Sequence, residues 1–235
     1  MNQRYRKLWY SVGTMLLSGM VLTGCGHSDD DSDTALASYE VRVVNPTSNQ
    51  PFSPVAVVAH TAAVTVWTVG AAASTELEYI AEGGSNAELM ASLATEDAAF
   101  ATGAAPVGPG GNDMITIVTT SAAQTMISVV TMLVNTNDAF SGLRSIDVSG
   151  MAVGDSMMFT AMVYDAGTEM NSESAGTMPG PADGGEGFNA SRNDISDLVS
   201  GHGGVVTGDD GLAGSVLDQS HRFDNPGMML RITRI

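Results

Sequence analysis

From Ser38 the chain alternates: Tyr39, Val41 and Val43 are apolar, and Glu40 and Arg42 between them are charged. A period of two predicts a half-buried strand. Asn45-Pro46-Thr47-Ser48-Asn49-Gln50-Pro51 breaks it, and Val55 to Ala59 and Ala63 to Val69 read as further extended pieces, with Trp67 in the second. At Ser74 the spacing changes. Ser74 caps a predicted helix, Thr75 to Glu82, with Leu77 and Ile80 on one face and Glu78 and Glu82 elsewhere. Gly83-Gly84 ends it, and Asn86 starts a second short helix through about Leu93. The Ala/Gly/Pro segment Thr95 to Gly111 predicts a loop.

Beyond Met114 the pattern is strongly β. Met114 to Thr120 and Gln124 to Val134 are rich in Val, Ile, Thr and Met, and the second is apolar on both faces, as an interior strand of a sandwich is. Asn135-Thr136-Asn137-Asp138 turns the chain, Leu143 to Val148 is a short strand, Gly150 to Asp155 turns again, and Ser156 to Tyr164 is the next strand. Asn171 to Asn189 is a Gly/Pro/acid loop, Asp194 to Val199 a single helical turn, Gly201 to Gly211 a flexible stretch and Leu212 to Leu217 a short helix. Met228 to Ile235 suits a final strand with one wet face. The sum is an all-β fold: an antiparallel β-sandwich with one or two short helices in its connections.

Candidate chemistry lies where the strand Ser156 to Tyr164 runs out. Tyr164-Asp165-Ala166-Gly167-Thr168-Glu169 places two carboxylates four residues apart, and Gly167 tolerates the positive φ that a tight curl needs. In an up-and-down run, loops two strands apart share one end of the sheet, so Asp138 comes to the same rim. Three hard oxygen donors there, with Asn137 and loop carbonyls nearby, suit calcium. The competing reading is a solvated acidic rim.

The amino terminus sets the address. Arg4, Arg6 and Lys7 precede the charge-free apolar run Leu8 to Leu22, and Leu22-Thr23-Gly24-Cys25 supplies small residues before a cysteine. Residues 1–24 read as a secretory signal. The tetrad resembles a bacterial lipobox, which implies cleavage before Cys25, lipid on that residue and membrane anchoring through it. In the lipoproteins it resembles, a residue such as Gly26 in place of Asp implies the outer membrane. Residues 25–37, including the acidic His27 to Thr34, are a tether, and 38–235 form the domain.

The whole chain carries a formal net charge of −17. Three of its nine basic residues lie in the signal, leaving six against 26 acidic ones, and no lysine. No basic stripe is present, so nucleic acid and anionic membrane surfaces are poor partners, whereas cations are attracted. Cys25 is the sole cysteine, so no internal disulfide forms even in an oxidising compartment.

Asn49-Gln50-Pro51-Phe52-Ser53-Pro54, Trp67-Thr68-Val69-Gly70 with Ile80-Ala81-Glu82-Gly83, Asn137-Asp138-Ala139-Phe140-Ser141-Gly142-Leu143 and Tyr164 to Glu169 together resemble the spondin domain, the N-terminal domain type of F-spondin. The closing strand is also similar. The resemblance implies a sandwich with a calcium ion at one rim, liganded by Asp138, Asp165 and Glu169. Glu169 stands where animal members commonly have aspartate, and the cysteines of animal members are absent. Those members belong to matrix and adhesion proteins, which implies an extracytoplasmic binding or structural module with an extracellular protein or glycan as partner. An ion-independent envelope or adhesion protein is the alternative.

Three fragments mimic an esterase family. Gly154-Asp155-Ser156-Met157, Asp218-Gln219-Ser220-His221 and Gly110-Gly111-Asn112-Asp113 resemble the blocks of GDSL-type hydrolases, which would use Ser156 and His221. Their order along the chain differs, and that family is α/β, so a non-enzymatic reading is preferred. His60, His202 and His221 are too dispersed for zinc, and His60 reads as a hydrogen-bonded structural histidine.

Overall fold

The computed structural model describes residues 36–235. The signal, Cys25 and the tether His27 to Thr34 lie outside the described residues. Ten strands form two antiparallel sheets: β1 (Ser38–Val44), β2 (Ala56–His60), β3 (Ala98–Thr102), β4 (Asn112–Val118), β5 (Met126–Met132), β6 (Ala139–Asp147), β7 (Ser156–Ala161), β8 (Val163–Asp165), β9 (Ser200–Gly201) and β10 (Met228–Arg234). One sheet has four strands in the order β4-β1-β10-β7, the other six in the order β3-β2-β5-β6-β8-β9. Two helices, α1 (Thr75–Gly83) and α2 (Ala87–Leu93), follow β2.

Alternation decides which faces meet. Val41 and Val43 of β1, Ile115 and Ile117 of β4 and Leu230 and Ile232 of β10 point inward, against Val57 and Ala59 of β2 and Ile127 and Val129 of β5. The six-stranded sheet is covered on its other side too. Ala56 and Val58 of β2, Val130 of β5 and Phe140 of β6 pack there against Trp67 and against Leu77 and Ile80 of α1. This explains why all five residues of β2 are buried and why its sequence runs apolar without alternating. Trp67, Phe140 and Tyr164 interlock, with ring centroids 5.3 to 6.1 Å apart. Gly142 makes this close approach possible, since a Cβ there would lie 2.2 Å from the Val129 carbonyl oxygen.

Helix α1 starts and stops as its sequence dictates. Ser74 Oγ accepts from the Leu77 amide. Gly84 ends the helix in the left-handed conformation, its N–H donating to the carbonyl of Ile80. Asn86 precedes α2 but does not cap it; its amide donates to the Pro54 carbonyl instead, at 2.7 Å.

His60, at the end of β2, is fully buried and satisfied as a neutral ring. Thr61 offers only a carbonyl to Nδ1, at 2.8 Å, so Nδ1 carries the proton and Nε2 accepts from Ser128 Oγ, also at 2.8 Å. Ser128 in turn accepts from the Ser145 amide, and Ser145 adopts a φ of 51°. The pairing of β5 with β6 shifts register here, between Ile127 and Val129, so the histidine pins a bulge.

Several segments depart from expectation. Ala63 to Val69 is no strand: it turns twice and delivers Trp67 to the core. The expected loop Thr95 to Gly111 contains β3, an Ala-rich edge strand held by pairing with β2. Strand β6 begins at Ala139 rather than Leu143. Asp194 to Val199 and Leu212 to Leu217 are turns, and short 3₁₀ turns form instead at Gly208–Asp210 and Gln219–His221. Both of those are fixed by reciprocal side-chain caps, from Thr207 and Asp210 in one and Asp218 and His221 in the other.

The departure that matters most is at Met162. The expected single strand Ser156 to Tyr164 breaks there and changes sheets. Ala161 pairs with Met228 of β10, whereas Val163 pairs with Ser141 of β6.

Candidate functional site

That change of sheet builds the acidic rim. Strand β8 lies directly beside β6, with Asp165 opposite Ala139, so Asp138 and Asp165 sit at one end of neighbouring strands in the same sheet. The expected proximity is present, but it arises from direct pairing and not from an up-and-down run.

Asp138 closes the turn after β5. Thr136 Oγ1 donates to the Leu133 carbonyl at 2.6 Å and accepts from the Ala139 amide, fixing the turn. The side chain of Asp138 is 0% exposed. Its Oδ2 accepts from the Thr168 amide at 2.8 Å, the Thr168 hydroxyl at 3.2 Å and the Glu169 amide at 3.1 Å. Its Oδ1 is buried and has no hydrogen-bond partner. Burial, followed by repulsion from Asp165, pushes the Asp138 carboxyl up to about 7 against the pull of those N–H groups.

Asp165 starts the next loop. Its Oδ1 accepts from the Gly167 amide at 2.7 Å, and its Oδ2 accepts from the Asn171 side-chain amide. Gly167 takes φ 72°, and a Cβ there would lie 2.5 Å from the Leu198 amide nitrogen, so the curl requires glycine on both counts. Behind Asn171 stands His202, which is buried. Its Nδ1 accepts from the Gly204 amide, which leaves Nε2–H to donate to Asn171 Oδ1 at 3.2 Å. Burial lowers the His202 pKa, opposed by the charge of Asp165.

Glu169 is 7% exposed. Burial first, then the charges of Glu82, Asp138 and Glu186, push its carboxyl up to about 8. Glu82, in the last turn of α1, also acts on this group, although in the sequence it stands out only as a helix residue and as part of the Ile80-Ala81-Glu82-Gly83 stretch. It is fully buried; Oε2 accepts from the Asn189 amide at 2.8 Å and Oε1 has no partner. Burial raises its pKa as well. The available signal was the acid at the end of a helix leading into Gly83-Gly84, which linear spacing could not connect to a rim more than fifty residues later.

Among the described residues, none of these four acids forms an ion pair with arginine. Arg192, whose charge acts on Glu82, is engaged elsewhere, with Glu78 at 2.7 Å and Asp197 at 2.8 Å. Its hydrogen bond to Glu78 holds its pKa above the ordinary value. Among the described residues, no three His, Cys, Asp or Glu side chains converge as a ready-made metal-ligand set. The rim therefore gathers the acids as neighbours. The fit to a hard cation rests on the orphaned oxygens of Asp138 and Glu82 and on an all-oxygen donor set.

The esterase-like fragments do not assemble. Ser156 lies on an exposed strand face, bonded to Thr233 Oγ1 at 2.8 Å and to Arg231. His221 contacts Asp218 and Asn49 and shares no partner with Ser156. Asn112 and Asp113 lie in β4 and form no oxyanion loop.

Comparison with known proteins agrees with the architecture. Among curated proteins, none matches the chain. The Spondin_N family profile matches residues 43–179, from within β1 to beyond the acidic loop, leaving β10 outside the matched stretch. That is more than half of the chain, and such domains are typically binding or adhesion modules without catalysis. The chain belongs to the Spondin_N family.

Proposed function

We propose that this protein is a calcium-binding adhesion or binding module, anchored by lipid at Cys25 in a bacterial cell envelope. The observation that carries the calcium reading is Asp138 Oδ1, buried without a partner, on a carboxylate that feels the charge of Asp165 and acts in turn on Glu169. An anionic oxygen left unpaired in the interior costs about 1–3 kcal/mol or more. A hard divalent cation offsets that cost and the mutual repulsion of the acids. Asp138 is the most rigid of the donors, since three N–H or O–H groups fix its other oxygen. Asp165 is oriented by Gly167 and Asn171, and each of its oxygens keeps a second lone pair. Glu169 and Glu82 add charge from the loop and from α1. A bound ion supplies charge neutralisation and ties the turn before β6 to the loop after β8. Calcium plays no part in bond making here.

Thermal unfolding of the full chain in chelator, then across a calcium titration with magnesium as control, tests this. With affinity in the range of extracellular modules, about 10⁻⁴ to 10⁻³ M, tenfold excess calcium adds about 1.4 kcal/mol. For a domain of this size that is a rise of about 3–6 °C. No rise, or an equal one with magnesium, refutes the site.

A second reading is an ion-independent envelope or adhesion domain. It is favoured by carboxyls that titrate near 7 and 8, which a proton can neutralise as a cation does. The same titration separates the two. The anchor has its own test: a clickable fatty acid fed to cells should label the wild-type chain and not Cys25→Ser. Labelling that survives the substitution removes the anchor from the proposal.

A further inference from the structure

The two sheets differ on their outer faces. The six-stranded sheet is covered there by α1 and the Trp67 segment, whereas the outer face of the four-stranded sheet has no covering layer among the described residues. Register fixes what this face presents. One row across it reads Met114, Arg42, Arg231, Met158, and the next reads Asn112, Val44, Met229, Thr160. Met158 is 81% exposed, Met114 58% and Met229 47%. A hollow of about 320 Å³ opens between Arg42, Val44, Met158, Met229 and Arg231.

Two features make this more than scattered surface methionine. First, Arg42 and Arg231 are direct cross-strand partners, an arrangement of like charges that destabilises a sheet. Among the described residues neither forms an ion pair. Among those residues the Arg231 side chain donates only to Ser156 Oγ, and Glu40, next along the same face, pairs with neither. Second, the chain as a whole is strongly acidic, at a formal net charge of −17 with these two arginines included. Arg192 and Arg222 are already matched with carboxylates. Two adjacent unmatched guanidinium groups framed by exposed thioethers are thus the reverse of the surrounding surface.

We propose that this face docks a short segment of a partner protein in which a carboxylate is flanked by apolar side chains. The carboxylate fits between Arg42 and Arg231, which offer planar, forked donors suited to it. The apolar neighbours lie on Met114, Met158 and Met229, whose flexible, polarizable side chains adapt to varied shapes. The charge of the whole chain excludes an extended polyanion. A nucleic acid, a sulfated glycan or an anionic membrane carries many charges that meet the acidic surface beyond these two arginines. The inference does not depend on calcium, because the face belongs to the other sheet.

The test is selection from a random-peptide library on the immobilised full chain, followed by measured affinities for the recovered peptides. Expected are peptides with Asp or Glu between Leu, Ile, Phe or Met. Their binding weakens with added salt and falls at least about tenfold, or ~1.4 kcal/mol, on the double variant R42Q/R231Q. Both positions are exposed, so the variant keeps its circular dichroism and unfolds no earlier than wild type. Recovered peptides without acids, equal binding to R42Q/R231Q, or no enrichment overturns the proposal. So does tighter arginine-dependent binding of heparin or of phosphatidylglycerol vesicles, or of a peptide spanning His27 to Thr34, which would make the occupant the chain's own tether.

Discussion

Asp138→Asn in calcium-free buffer isolates the electrostatic cost of the rim. Asparagine keeps an oxygen for the Thr168 and Glu169 amides and removes the charge, so the loop stays anchored. In the wild type the carboxyl titrates at about 7 in the native state against 3.8 ordinarily. The folded protein then holds a proton that the unfolded chain has released, and native stability falls as pH rises from about 4 to about 7. At about 1.4 kcal/mol for each tenfold change in proton affinity, the loss is on the order of 4 kcal/mol. For a domain of this size that is a fall in Tm on the order of 10 °C. Whole-chain repulsion at −17 gives a slope of the same sign, so the informative quantity is wild type minus variant. Differential scanning calorimetry in chelator at half-unit pH steps measures it. The two Tm curves should converge near pH 4 and separate toward pH 8, with the variant higher, and calcium should raise only the wild type. Parallel curves would refute the argument that burial and Asp165 load Asp138.

His60 gives the opposite slope. Burial lowers its pKa below 6.5, so its stabilising contribution is complete above that pH and is lost as pH falls below it. His60→Gln should abolish this acid-side slope, measured by urea unfolding, and should cost about 1–3 kcal/mol at pH 7 from the broken relay through Ser128. Arg192→Ala strands the buried Glu78 and should cost about 3 kcal/mol in the same assay, with Glu78→Gln in the same chain recovering part of it. Gly142→Ala forces a methyl to 2.2 Å from the Val129 carbonyl oxygen and 3.1 Å from the Trp67 ring. It should cost about 1–3 kcal/mol or more and alter the near-ultraviolet dichroism of Trp67.

Strands with an unambiguous face were legible from sequence. The alternation of β1 and β10 marks one wet and one buried side, and the run of β5 marks two buried sides. Strand β3 was not legible, because Ala98-Ala99-Phe100-Ala101-Thr102 has little β preference of its own and is held by pairing with β2. The break at Met162 was hidden for a related reason: β7 and β8 are apolar on both sides of it, and only the separate partners, β10 and β6, reveal two strands. At the rim, the glycine in Tyr164 to Glu169 announced the curl. The partnerless oxygen of Asp138 and the approach of Glu82 are products of tertiary burial, which spacing does not encode.

Strand β1 lies in the four-stranded sheet between β4 and β10, paired with Met229 to Arg234 through Tyr39 to Val44. The first strand of the domain thus waits for the last. A chain emerging from its amino end, from a ribosome or through a translocation pore, exposes one edge of β1 and leaves β7 without its neighbour until Met228 to Arg234 has appeared. Closing so long a loop makes assembly slow and late. Loss of the final seven-residue strand would divide this sheet down its middle, not trim its edge.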